Sequence, residues 1–297
     1  MLIDVNMGKT LVVGKKSWQK FKQNWVLLIP TILSDIFFLF LLGVGFSGFG
    51  DKIREYFTAI FVELSFDIRS FSDRMLSQGG FLQELFSAVF NSGYFGEILA
   101  LLAIELIFIL IVYSIFHGFS LAIVKSANYL RFRPSNFFEN LQKARPFIIM
   151  YINRFMLLNL IWIVISLPFF AMFWFVNFMV GMSGYVSNNT VHLPLNGIFL
   201  VVVGYFVLIS YGILPYYNSF RAFLKSFKFG TKYYKNFLFG YLAVLLFIVV
   251  INLILIWIYA LSLTLYLFVG FIVVLGFLFY MRIGVFNAVE ILKDEIS

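Results

Sequence analysis

Asp35, Glu105 and His117 are the side chains whose type and setting could do chemistry, because each lies inside a long apolar run. Asp35 falls about ten residues into the first run and Glu105 about eight into the second, so both acids reach toward a membrane midplane. An acid at the centre of a membrane helix costs ~2.5–3.5 kcal/mol on insertion scales and therefore faces a bundle interior or water. Desolvation would favour its neutral form. Two readings follow: hydrogen-bonded acids that tie helices together, or a proton or cation site. His117 shares the second run with Glu105 but stands roughly 18 Å further along a straight helix, out of reach. It reads as a satisfied polar contact. Ser114, Gly118, Ala122 and Ser126 recur every four residues around it, a spacing that lets a neighbouring helix approach closely. This stripe is expected to be a helix-packing seam.

Little else has catalytic spacing. Cysteine is absent, which excludes disulfides, thiolate metal sites and Cys nucleophiles. The two histidines cannot make a His-rich metal site. Gly43-Val-Gly-Phe-Ser-Gly48 fits the dinucleotide-binding pattern, but no strand precedes it and it sits at the end of an apolar run. Asn188-Asn-Thr190 is a formal glycosylation sequon. No zincin, phosphate-loop or nucleophile-elbow motif occurs, so the chain is read as non-enzymatic, with no cofactor and no metal.

The elements that must position these residues are transmembrane helices. The 297 residues are 62% hydrophobic and 12% charged, with mean hydropathy +0.96. A soluble domain carries about 25% charged residues and cannot bury so much apolar surface. Helices that cross a ~30 Å core need about 20 apolar residues. On that measure the chain contains six, at 25–46, 98–124, 155–179, 198–216, 237–258 and 265–286. The first run is longer than a signal-peptide core and no Ala-x-Ala site follows it, so it is expected to remain as a span. The third is expected to kink at Pro168, and Gly181 to Pro194 separates it from the fourth. The charge-free stretch Asn236–Met281 would make a helix of roughly 70 Å, so it must fold back, with the turn near Tyr259–Thr264.

Charge sets the orientation. Eighteen of the 22 Lys and Arg residues fall in residues 1–24, the second-to-third connection, the fourth-to-fifth connection and the tail. The positive-inside rule then places both termini in the cytoplasm, with the protein in the cell membrane. Arg154 and Arg282 lie near cytoplasmic ends and can snorkel to the surface. The net charge of +8 points to anionic lipid headgroups and not to nucleic acid, because the bases flank apolar spans.

Interfacial helices complete the plan. Phe57, Phe61, Leu64, Ile68, Phe71 and Met75 step by four and three, which gives an amphipathic helix over 51–77, with a shorter one over 81–92 on the same non-cytoplasmic side. Pro134-Ser135-Asn136 followed by Glu139 reads as a helix start. Arg221, Lys225, Lys228, Lys232 and Lys235 form a basic stripe beside Phe220, Phe223, Leu224, Phe227 and Tyr234. That suits a helix lying in the interface, rings down and cations toward phosphates, with Gly230 as a break. It serves either as a topology anchor or as a headgroup-recognition element.

Phe21-Lys-Gln-Asn-Trp25 before the first span parallels Tyr233-Tyr-Lys-Asn-Phe237 before the fifth, with Asn24 and Asn236 in equivalent places. The pattern suits either convergence at the interface or an internal duplication. With Ser135-Asn-Phe-Phe-Glu-Asn-Leu-Gln-Lys-Ala144 and Ala222-Phe-Leu-Lys-Ser-Phe-Lys-Phe-Gly-Thr-Lys-Tyr-Tyr-Lys-Asn-Phe237, the entrance segment Ser17-Trp-Gln-Lys-Phe-Lys-Gln-Asn-Trp25 resembles the multi-pass membrane domain found fused to some glycerophosphodiester phosphodiesterases. The resemblance implies the helical membrane fold. It implies no hydrolysis, because no stretch here reads as the soluble phosphodiesterase barrel. Two functions are thus expected to compete. The first is a membrane protein that binds or organises lipid, a protein partner or a second copy of itself. The second is a small-molecule or ion transporter with a midplane acidic site.

Overall fold

The computed structural model describes residues 2–63, 93–182 and 192–292, and every regular element among them is helical. The α-helices are α1 (Leu2–Gln23), α2 (Leu28–Glu63), α3 (Phe95–Ser126), α4 (Phe137–Met182), α5 (His192–Ile213), α6 (Ser219–Lys232), α7 (Tyr234–Leu261) and α8 (Leu263–Leu292). Two 3-10 turns, Trp25–Leu27 and Pro134–Asn136, lead into α2 and α4. Among the described residues three helical stretches are long and apolar enough to cross a membrane: Trp25–Tyr56, Gly96–Ser126 and Pro134–Phe169. Shorter apolar helical stretches are Val201–Ile213 and Val249–Tyr259. Only 28%, 17% and 33% of the most apolar windows of the three long stretches are buried, so most of their side chains face outward. Phe40 and Val164 are exposed at 64% and 62%. Exposed apolar surface on this scale is consistent with lipid as its solvent and a membrane location.

Several boundaries differ from those read in the sequence. The first span and the amphipathic helix after it are not separate, because α2 runs unbroken through Gly43, Gly45, Gly48 and Gly50 to Glu63. A glycine weakens a helix by about 1 kcal/mol without stopping it, and no proline interrupts this stretch. Gly45 also has a packing reason, since a Cβ there would collide with the ring of Phe108. The remainder of the 51–77 helix and the whole of 81–92 lie outside the described residues. The helix start near Pro134 and the third span are likewise one element, α4, which contains both Pro146 and Pro168. Its entry is held by side chains: Asn136 Oδ1 accepts from the Arg133 N–H at 2.8 Å, and Asn140 Nδ2 donates to the Arg131 carbonyl at 2.9 Å. Glu139 follows in the first turn and accepts from Lys143 Nζ at 2.6 Å. Between α7 and α8 the one non-helical residue is Ser262, with extended backbone angles. It falls inside Tyr259–Thr264.

The chain divides into two compact units. The first draws its described residues from Met1–Ile36, Ser114–Phe173 and Asn188–Ser297, the second from Phe37–Tyr113 and Trp174–Ser187. In the first unit α8 is the hub, packing against α1, α5 and α7, while α6 lies on α5 and α7. Its core is aromatic: Tyr151, Phe155, Phe279 and Phe286 are fully buried, and Phe155 meets Tyr211 at 4.6 Å between centroids. In the second unit Phe38 meets Tyr113, and Phe49 meets Phe108.

Close helix contact in the first unit depends on small residues. A Cβ on Gly212 would lie 2.6 Å from Val289 Cγ2 and 3.3 Å from the Val285 carbonyl oxygen, whereas a Cβ on Gly284 would meet nothing within 4 Å. Gly212→Ala is therefore expected to destabilise by about 1–3 kcal/mol through overpacking. Gly284→Ala should stabilise by up to about 1 kcal/mol through helix propensity. Thermal unfolding of the two variants in detergent checks the opposite signs.

Candidate functional site

Asp35 on α2, His117 on α3 and Arg282 on α8 meet inside the first unit. They stand seven to ten residues from the helix ends Leu28, Ser126 and Leu292, which is roughly 10–15 Å along each axis. Arg282 Nη1 donates to Asp35 Oδ2 at 2.9 Å and Nη2 donates to Oδ1 at 2.6 Å. Asp35 is 4% exposed and Arg282 5%. Two parallel N–H···O bonds of this kind match the planar guanidinium to a carboxylate. The same Nη2 lies 3.3 Å from His117 Nδ1. Arginine only donates, so Nδ1 accepts and the ring proton is assigned to Nε2. Ser34 Oγ, next to Asp35, donates to the Phe116 carbonyl at 2.8 Å and fixes α2 against α3 at this height.

One expectation changes here. Arg282 does not snorkel; its charge is met inside the bundle by Asp35, which removes the need to reach a surface. Asp35 is engaged by an arginine, while Glu105 is half-buried in the second unit. The signal for the pairing was present, as one acid and one base each sat well inside an apolar stretch. Nothing local linked positions 247 residues apart.

A second polar tier lies nearer the helix ends. Lys20 Nζ donates to Asn128 Oδ1 at 2.7 Å, Asn287 Oδ1 at 2.8 Å and Glu290 Oε2 at 3.2 Å. Asn287 Nδ2 donates to Ser17 Oγ at 2.9 Å. Asn24 Oδ1 accepts the buried Phe132 N–H at 3.1 Å. This tier borders a water-sized cavity lined in part by Lys20, Asn24, Asn128 and Phe286. Lys125, fully buried, donates to the Tyr216 hydroxyl at 2.7 Å and lies over the rings of Tyr129, Tyr216 and Phe286. Sequence reading singled out Asn24 but missed the roles of Lys20, Lys125, Asn128, Asn287 and Glu290, because charges near a span end look like ordinary flanks.

Along the stripe read as a packing seam, Ser114 and Ala122 are fully buried. A Cβ on Gly118 would lie 3.2 Å from Phe155 Cδ1 and 3.5 Å from Ile152 Cα on α4.

The basic stripe lies on α6, capped by Asn218, whose side chain accepts from the Arg221 N–H at 2.9 Å. Gly230 does not break the helix. The Tyr205 hydroxyl donates to its carbonyl at 2.9 Å, and a Cβ there would lie 2.6 Å from Phe206 Cε1. Glycine is what lets α5 approach this closely. The helix has three sectors and not two. Ser219, Ala222, Phe223, Ser226, Phe229 and Gly230 are buried. Phe220, Leu224 and Phe227 are exposed apolar residues, and Arg221, Lys228 and Lys232 are exposed cations. Lys225 Nζ is 4.0 Å from the centre of the Tyr217 ring. Lys235 lies on α7, its side chain outside the described set.

Among the described residues no three His, Asp or Glu side chains converge as a metal site would require. No family model, curated protein or solved structure matches this chain.

Removing one partner of a buried ion pair costs about 3–5 kcal/mol, because the other charge is stranded. Asp35→Asn should destabilise on that scale. Glu105→Gln, which strands no charge, should leave stability unchanged or raise it. Thermal unfolding of both variants in detergent checks the contrast.

Proposed function

We propose that the chain is a multi-pass integral membrane protein of six spans, with both termini cytoplasmic, that performs no catalysis and binds anionic lipid headgroups along α6. The observation that carries this reading is the three-sector division of α6. A helix packed only against protein needs one apolar face. This one carries a second apolar row, Phe220, Leu224 and Phe227, each followed in sequence by a cation at Arg221, Lys225 and Lys228. Rings one residue ahead of cations suit an interface in which the rings enter the acyl boundary and the cations meet phosphates. Helix α1 repeats the chemistry. Trp18 is half-exposed, stacks on Phe21 at 5.3 Å, and carries Lys22 Nζ 5.2 Å from its ring centre.

A transport cycle acting through Asp35 would have to expel the Arg282 guanidinium before a cation could bind there. That requirement makes lipid engagement the better-supported reading. A single-turnover uptake assay with Asp35→Asn would revive transport only if uptake is present and that variant abolishes it.

Each Lys or Arg near an anionic surface contributes about 1 kcal/mol, roughly fivefold in affinity. Protein extracted from mixed phosphatidylglycerol and phosphatidylcholine vesicles should retain phosphatidylglycerol preferentially, as counted by native mass spectrometry. The triple variant Arg221→Gln, Lys228→Gln, Lys232→Gln should lose that preference, and so should wild type at high salt. Equal retention by wild type and variant would defeat the proposal. The natural absence of cysteine gives the orientation its own test. Lys228→Cys should be labelled from the cytoplasmic side of sealed membranes and Lys52→Cys from the opposite side.

A further inference from the structure

We infer that a water molecule is bound in the seam between α3 and α4, bridging the Ser114 hydroxyl and the Asn159 side-chain amide. Helices α3 and α4 are consecutive and joined by the short connection 127–136, so they run antiparallel. Gly118 fixes their register against Ile152 and Phe155. In that register Ser114, one turn before Gly118, stands opposite the turn after Phe155, which holds Asn159. Both residues are buried, at 0% and 6% exposure. Ser114 Oγ and Asn159 Nδ2 are nevertheless without a hydrogen-bond partner among the described residues.

Ser120 Oγ on α3 is also unpartnered, but four other serines show the usual local alternative. Ser126, Ser166, Ser210 and Ser226 each donate to a carbonyl three or four residues earlier in their own helix, at 2.6–2.7 Å. Ser114 does not take that local partner. Asn159 is equally constrained, since its Oδ1 accepts from the Tyr211 hydroxyl at 2.6 Å, which orients the amide and leaves Nδ2 over. A buried donor and a buried acceptor left unmatched, facing one seam, form the polar setting in which an internal water is held. The water accepts from Asn159 Nδ2 and donates to Ser114 Oγ. The bridge joins α3 to the α4–α5 network, in which Tyr151 also donates to the Tyr211 carbonyl at 3.1 Å. It lies three residues along α3 from His117.

The test is water-edited solid-state NMR on the full chain in lipid bilayers, with asparagine side-chain amides labelled. The Asn159 signal is assigned by its loss in Asn159→Ser. Magnetisation should pass from water to the Asn159 amide in wild type and fall to background in Ser114→Val, whose methyl groups occupy the water's place. If Ser114→Val fails to assemble, Ser114→Ala should at least halve the transfer. Absence of transfer in wild type would overturn the inference and indicate a direct side-chain contact. Transfer undiminished in the serine variants would overturn it as well.

Discussion

The Asp35–Arg282 ion pair is the constraint around which the first unit is arranged. Neither charge can be left alone among apolar side chains, and the two sit 247 residues apart in the chain. Helix α8 can therefore occupy few positions relative to α2 once both are packed. Burying two charges is expensive even when they pair, so the interaction is better understood as fixing which helices meet, and at what height, than as a large net source of stability. His117 fits that role. It gives the same guanidinium a second acceptor and brings α3 to the same level.

The second tier makes the arrangement directional. A single crossing point at Asp35 would leave the helices free to run either way. Lys20 and Asn24 lie just before α2, Asn128 and Phe132 just after α3, and Asn287 and Glu290 near the end of α8, and these groups also meet. Two levels of contact fix the start of α2 beside the ends of α3 and α8. Elsewhere in the first unit the packing is aromatic and close, and it tolerates bulk at Gly284 but not at Gly212 or Gly230.

Much of the helical framework was legible in the sequence, because apolar runs bounded by charge and by Gly, Pro or Asn mark helices whatever their neighbours. Length called for a turn in the charge-free stretch, and the break at Ser262 falls inside the expected Tyr259–Thr264. What could not be read was partnership. Arg282 looked like a flank residue because its position near a span end is what snorkelling arginines share, and only the fold brings Asp35 to it. The first span reads as 25–46 and the helix after it as separate, whereas α2 runs on to Glu63 and Gly45 admits Phe108. On α6 the amphipathic pattern was plain, but a pattern does not say which of two apolar sectors faces protein. Phe220 and Leu224 stay outward, Phe227 at the edge of that row also packs on Phe206 and Trp162, and the small residues Ala222, Ser226 and Gly230 go inward.

The outward apolar surface and the inward polar contacts follow from the same physics. A chain solvated by lipid gains little from burying leucine and much from satisfying polar groups internally, so specificity moves to ion pairs, amides and small-residue contacts. The most direct test of this account is a double-mutant cycle on Asp35→Leu and Arg282→Met, read as unfolding free energy in bilayers. If the pair organises the bundle, the double variant is more stable than either single variant, because it leaves no stranded charge. Additive losses in the double variant would contradict the account.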